Sequence, residues 1–393
     1  MIKHLFKLIW NKKKQNFLLI TEILVSFMVI FAVFTLVVNY YQHYKQPMGF
    51  ESDRVWVINY QSDVNIKDKD SLDVYYKTIL GNIKAMPQVQ EASFASSNVP
   101  FSANTHMNNV DYKKTHVNRV NYYTAGDTYD KVLGMKVIEG RWFGKQDDAA
   151  TVKPMIINRT LRQQLFGSGK ALGEKVGDDN SNKMVIIGVV EDVKAKGDYQ
   201  EGGFAMYERI DTSSNDGRGR ILVKVNANAD AAFESRLYKL MASNGNNSGI
   251  EIEHLTDKRK TINNTTLIPM IILLIVACFL IINVALGLFG VLWYNINKRK
   301  GEIGLRRAIG ASGNSVSWQL VTESMILATL SLIIGSFFAV QFPLLNVFDL
   351  PASVYLSAIL LSVIFIYLLV LVCSLYPGKQ ASAILPAVAL HEE

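Results

Sequence analysis

Cysteine is nearly missing from this chain. Cys278 and Cys373 are the only two in 393 residues, and both fall in apolar stretches. The polar stretch 39–266 has none, so a packed core must hold it without disulfides. Charge is scarce as well: 19% of residues are charged, against about 25% in an average globular chain. With 49% of residues hydrophobic, this balance excludes disorder and argues against a wholly soluble protein.

The sites that carry common chemistries are missing too. A phosphate-binding loop needs G-x-x-x-x-G-K-[ST]. The nearest approach, Gly167-Ser168-Gly169-Lys170-Ala171, has Gln164 where the first glycine belongs and no hydroxyl after the lysine; it reads as a helix-ending turn. The six histidines, at 4, 43, 106, 116, 254 and 391, have no metal-ligand spacing and no cysteine beside them. Gly310-Ala311-Ser312-Gly313 is not a nucleophile elbow. The chain therefore reads as no enzyme by itself, with no catalytic residue, no metal and no cofactor of its own.

What is present is four apolar stretches, each long enough for a bilayer core of ~30 Å. They run over 17–38, 267–294, 318–342 and 354–376, with no Lys or Arg inside them. The first runs into Asn39-Tyr40-Tyr41-Gln42 with no small-x-small site, so it reads as an uncleaved anchor. The segments 1–16, 295–317 and 377–393 hold 11 basic residues against 3 acidic ones. The positive-inside rule places these three in the cytoplasm. Both termini are then inside, a short loop 343–353 lies outside, and 39–266 is exported. The basic excess serves topology and membrane lipids; no nucleic acid partner is implied. A bacterial inner membrane fits, with 39–266 in the periplasm or outside the cell.

Residues 2–10 form an amphipathic pattern. Ile2, Leu5, Phe6, Ile9 and Trp10 lie on one side, with Lys3, His4 and Lys7 opposite, as in a helix anchored in the cytoplasmic interface. Within 39–266, alternation at 54–58 reads as a strand. A helix is expected over 72–86, strands at 155–157, 184–190, 220–225 and 250–255, and helices at 160–166 and 231–241. The stretch 91–125 reads as short strands and turns. Strand–helix–strand at both ends suggests an α+β layer, with an inserted β-rich lobe between. The polar stretch 256–266 continues in helical register into the second span, which then protrudes as a stalk.

The most informative segment is Lys298-Arg-Lys-Gly-Glu-Ile-Gly-Leu-Arg-Arg-Ala-Ile-Gly-Ala-Ser312. Leu305, Ala308 and Ile309 share a helical face, flanked by Arg306 and Arg307. Such a helix can lie in another protein's groove, while Gly301, Gly304 and Gly310 permit turns or close approach. The same residues also suit a solvated basic loop that only sets topology. Glu323, about one turn into the third span, either snorkels to cytoplasmic water or makes a polar contact to the loop, with Arg306 or Arg307. Glu22 reads as snorkelling. Gly287, Gly290 and Gly335 read as ordinary helix packing, with a dimer contact as the alternative.

The run Gly301 to Ser312, followed by Glu323, resembles the signature of FtsX-like ABC permeases. Tyr376-Pro377-Gly378-Lys379-Gln380-Ala381 to Leu390 is similar to that family's ending, although His391 stands where Arg is usual. Tyr129 to Phe143, containing Gly140-Arg141-Trp142-Phe143, resembles MacB-type periplasmic core domains. Ile156-Ile157-Asn158, Phe166-Gly167, Leu172-Gly173 and Ile186 to Val193 follow in the same order.

The resemblance implies a membrane α-helical fold with four transmembrane helices, N-in and C-in. A large α+β periplasmic domain lies between the first two spans, as a porter-like layer (45–95 with 205–255) plus an inserted lobe (96–204). It further implies a permease subunit of a MacB-type ABC transporter that moves its periplasmic domain (mechanotransmission) for export or extraction of a substrate. The ATPase-coupling residues would be Glu302, Ile303, Gly304, Leu305, Arg306, Arg307, Ala308, Ile309 and Gly310, with Glu323 as coupling acid. The expected partners are two copies of an ABC ATPase that binds ATP and Mg, a second permease subunit (homodimer or paralogue), and a periplasmic or outer-membrane protein. The alternative is an FtsX-like regulator that controls a periplasmic cell-wall enzyme or a sensor kinase and moves no substrate.

Overall fold

The computed structural model describes residues 13–62, 66, 68–103, 105–177, 183–211, 219–243 and 247–383. The amphipathic segment 2–10, with Ile2, Leu5, Phe6, Ile9 and Trp10, and the tail from 384 lie outside these. The chain divides into two compact units, His43–Leu267 and the remainder.

In chain order, helix α1 (Lys13–Lys45) precedes β1 (Val55–Ser62), α2 (Lys69–Lys84) and β2 (Val89–Ala95). Then come β3 (Met107–Tyr112), β4 (Thr115–Ala125), α3 (Tyr129–Leu133), β5 (Val137–Gly140), β6 (Pro154–Asn158), α4 (Arg159–Phe166), β7 (Lys175–Val176), β8 (Met184–Val190) and β9 (Ala205–Arg209). They are followed by β10 (Arg220–Val225), α5 (Ala231–Ser243), β11 (Asn247–His254) and four helices: α6 (Leu255–Lys298), α7 (Lys300–Ala308), α8 (Gly313–Leu344) and α9 (Ala352–Ser382).

The first unit is built on one sheet in the order β11-β1-β10-β2-β4-β9-β6-β8-β5, with β3 on β4 and β7 on β8. Its first four strands are antiparallel neighbours. With α2 and α5 as crossovers they form a split β-α-β arrangement of the ferredoxin-like kind. Both faces of this half are covered. Trp56, Ile58, Ile221 and Val223 pack with Tyr76, Ile79 and Ile83 of α2 and Phe233 and Leu237 of α5. Val55, Val57 and Leu222 face a second core with Tyr123, Tyr129, Trp142 and Tyr207. Successive side chains alternate faces, so a strand buried on both sides reads as the unbroken apolar run Ile221-Leu222-Val223.

The other half is mixed: β4 and β9 are parallel, as are β6 and β8, while β9 and β6 are antiparallel. Within the sheet it meets the first half where Ala95 pairs with Ala125, and the two halves share the second core. The sequence division at 204 falls one strand early. β9, residues 205–209, pairs with β4 and β6 and so belongs with the inserted half, not with the porter-like layer.

In the second unit, Leu19, Ile23, Phe27, Ile30 and Phe31 of α1 form a buried stripe with Leu327, Ala328 and Leu332 of α8 and Tyr355, Ala358 and Ile366 of α9. Small residues permit this packing: a Cβ on Gly335 would come within 2.5 Å of the Phe27 ring. Gly287 of α6 similarly leaves no room for a Cβ, because the Glu22 carboxylate lies against it. Glu22 is thus packed on a neighbouring helix. Among the described residues four helices, α1, α6, α8 and α9, are long and apolar enough to cross a membrane. At 1.5 Å per residue the 44 residues of α6 extend about 66 Å, twice a bilayer core. Its residues up to Leu267 belong to the other unit.

Candidate coupling site between the second and third spans

The segment 295–317 is mostly helical. α6 runs to Lys298, Arg299 breaks its geometry (φ −105°, ψ 14°), and α7 begins at Lys300. α7 ends in a glycine cap: Ala311 N–H donates to Arg306 O at 3.0 Å and Gly310 N–H to Arg307 O at 3.1 Å. Gly310 has φ +103°, a conformation glycine adopts without Cβ strain. Ser312 then caps α8 by accepting the Ser315 N–H at 3.2 Å. Two sharp turns therefore hold a helix of nine residues between two long ones.

The faces of α7 differ. Ile303 is buried beside Ile296, Val316 and Ala381, and Gly304 is buried next to it. Leu305, Ala308, Ile309 and Gly310 are exposed, with Leu305 at 52% and Ile309 at 78%. The face that the sequence grouped on spacing is thus an uncovered apolar ridge. Trp318, on the first turns of α8, is exposed as well.

The arginines fasten the helix. Arg306 donates to Glu302 at 2.7 Å and to Gln319 at 2.9 Å. Arg299 donates to Glu323 at 2.8 Å and stands 3.5 Å from Glu302. Gln319 donates to Glu323 at 3.3 Å. Glu302, Arg299, Glu323, Gln319 and Arg306 thus form a closed network joining α7 to α8. Arg307 donates to the Ser382 carbonyl at the end of α9. There α9 lies close to α8: a Cβ on Gly378 would meet Ser317 Oγ at 2.8 Å. The Pro377-Gly378 of the tail motif is a close-approach position inside a helix.

One expectation changes. The partner of Glu323 is Arg299, not Arg306 or Arg307, because those two point to Gln319 and Ser382. Gln319 went unnoticed, although its i,i+4 spacing to Glu323 matches that of Glu302 to Arg306. Among the described residues no group of His, Cys, Asp and Glu is arranged to hold a metal.

The comparisons with known proteins fall on both units. The MacB-like periplasmic core domain family model matches residues 17–239, more than half of the chain. The FtsX-like permease C-terminal family model matches residues 273–386. The chain is 21% identical to the ABC transporter permease YvrN of Bacillus subtilis, with 100% of each chain covered. It is 25% identical to the macrolide export ATP-binding/permease protein MacB of Bdellovibrio bacteriovorus over 67% of this chain, but spans only 43% of that relative. Among solved structures, the periplasmic region of MacB from Actinobacillus actinomycetemcomitans aligns with 57% of this chain and 98% of that one, at 16% identity and TM-score 0.39.

Proposed function

This chain belongs to the MacB-like, FtsX-like family of ABC transporter permeases, and we propose on that premise that it is the membrane subunit on which a separate ABC ATPase acts. The observation that carries the reading is the uncovered ridge Leu305, Ala308 and Ile309 on α7 and its C-cap, a helix braced on its other side by a closed polar network. An apolar helix face flanked by basic residues suits a groove in a partner. A braced helix passes a push into α6 and α8, where a floppy loop would absorb it.

In this reading the chain sits in the bacterial cytoplasmic membrane with 39–266 outside. Two ATPase copies bind ATP and Mg and dock on the α7 helices of two permease subunits, identical or paralogous. Nucleotide-driven movement of α6 and α1 shifts the extracytoplasmic domain, and that movement exports a substrate or extracts it from the membrane.

The test is affinity purification of the tagged full chain from native membranes, read by mass spectrometry. The wild type should bring down an ABC ATPase. Leu305→Glu and Ile309→Glu place charge on the ridge and should cut that recovery roughly tenfold or more, as truncating interface anchors does. Both side chains are exposed, so membrane insertion should be unchanged. Full ATPase recovery with both substitutions would sink the proposal.

A further inference from the structure

The end of α1 and the beginning of α6 meet the same loop. α1 ends at Lys45 and α6 begins at Leu255, and both of these ends lie within the compact unit His43–Leu267. One loop, residues 194–200 between β8 and β9, holds each of them. Lys194 is only 3% exposed. Its ammonium donates to the carbonyls of His43 (2.5 Å), Gln46 (3.4 Å) and Asp198 (2.6 Å). The last carbonyls of a helix have no partner inside it, and a cation placed there satisfies them and the helix dipole together. Burial pulls the Lys194 pKa below its usual range and Arg259 adds to that, while Asp198 opposes it. The Tyr44 and Tyr199 rings stack 5.7 Å apart.

Four residues further on, the loop grips α6. The Asp198 carboxylate accepts from Arg259 Nη2 at 2.7 Å and from Asn263 Nδ2 at 2.6 Å. The Asp198 N–H donates back to Asn263 Oδ1 at 2.9 Å, so Asn263 is bound at both ends of its amide. Gly197 has φ +103°, and a Cβ there would lie 2.6 Å from Asn263 Oδ1. Both the conformation and the approach require glycine.

We propose that residues 194–200 are a latch, with Lys194 capping the first-span helix and Asp198 clasping the second-span helix through Arg259 and Asn263, so that both helices are fixed in one register to the sheet. Resting on the function proposed above, the latch is where movement of the spans becomes movement of the domain. Lys194 and Asp198 are positioning residues in this scheme, since neither touches a substrate.

The test is hydrogen exchange on the full chain in lipid nanodiscs, without any ATPase. Asp198→Ala should speed exchange in 196–200 and 256–266 roughly tenfold or more, a loss of ~1.4 kcal/mol, while amides of β10 keep wild-type rates. Asp198→Asn keeps the size and one acceptor and should fall between. The effect of D198A/R259A should fall well short of the sum of the two single effects, as for partners in one contact. Lys194→Met should loosen 40–48. Unchanged exchange at both helix ends would overturn the latch. So would equal acceleration throughout β10, which would reveal ordinary core support.

A second arm adds the co-purified ATPase. In the wild type, nucleotide should alter exchange in the domain. In Asp198→Asn that response should shrink severalfold with the ATPase still bound. A wild-type response in that variant would overturn the latch as the transmission route. Failure of any ATPase to bind the wild type would strike the functional reading, and the ATPase-free exchange would then decide the latch by itself.

Discussion

Arg141 and Asp147 lie in the Gly-Arg-x-Phe stretch, and their geometry explains it in structural terms. The guanidinium of Arg141 donates to both Asp147 oxygens, at 2.7 and 2.5 Å, and the Gly144 N–H adds a third bond at 3.0 Å. Between them Trp142 enters the core and donates to Gly126 O at 3.1 Å, stacking on Tyr129 and meeting Tyr207 edge-on. Gly140 has φ +69°, and a Cβ there would fall 2.2 Å from Ile187 O. The motif is therefore a corner that steers an aromatic inward. Arg141, then burial in the opposite sense, then the Gly144 N–H set the Asp147 pKa, and the net effect holds it below its ordinary 3.8. A depressed carboxylate pKa gives stability that is present above the unfolded value and lost as pH falls through the folded one. Arg141 is partly exposed, so Arg141→Met should cost a modest ~1–2 kcal/mol near neutral pH. The gap from wild type should then begin to close as pH falls to the unfolded value near 3.8 and go on closing below it. Thermal unfolding of the full chain across that range measures it; a gap independent of pH would mean the arginine acts through packing alone.

At the scale of elements, α7 depends on a contact that its own sequence does not contain. The Arg299 and Glu323 side chains are 12% and 16% exposed, so removing one strands the other in a poorly solvated place. Arg299→Ala should speed exchange across 300–309 roughly 10- to 100-fold, Glu323→Gln less, and Arg299→Met with Glu323→Leu should recover much of the loss. If R299A leaves α7 protected, the glycine cap alone holds it. This pattern also marks what the sequence could reveal. The exposed ridge and the i,i+4 pairs are local and readable from spacing. The partnership of Arg299 with Glu323 crosses a turn that places two remote residues together, and no periodicity encodes it. Strands follow the same division. β8 and β10 are apolar runs buried by both sheet faces and are legible. β4 is not, because Arg119 sits at φ +59° and adds a residue between the pairs Val110–Val117 and Asn108–Val120. The buried Val117 and Val120 are then three apart, which breaks the period of two. β9 is short, and its neighbours β4 and β6 lie far away in sequence.

For the whole molecule, the informative feature is how little of the second span is covered. Every side chain from Ile271 to Val276 is exposed, and so are Phe279 and Leu280. Among the described residues from 267 to the end of that helix, only Ala277, Leu288, Leu292 and Ile296 are buried apolar residues. In water such a surface would associate. In a bilayer lipid satisfies it, because apolar burial drives no helix pairing there and packing decides. Small residues mark where packing is possible. Gly287 is taken up by Glu22, but a Cβ on Gly290 would meet nothing, so this face is open to another helix. A second permease subunit seated there would form an isologous contact about a two-fold axis, in which a residue near the axis meets its own copy. Single cysteines placed one at a time from 271 to 290, with Cys278 and Cys373 replaced, should cross-link between copies in native membranes. The positives should recur at every third or fourth position, the period of one helix face. Lipid coverage alone would give no cross-links at any position. A paralogous pair would give none between copies of this chain, yet would produce the same periodic pattern against the partner subunit. The period of the pattern tests the face, and the identity of the cross-linked product tests whether the pair is made of like chains.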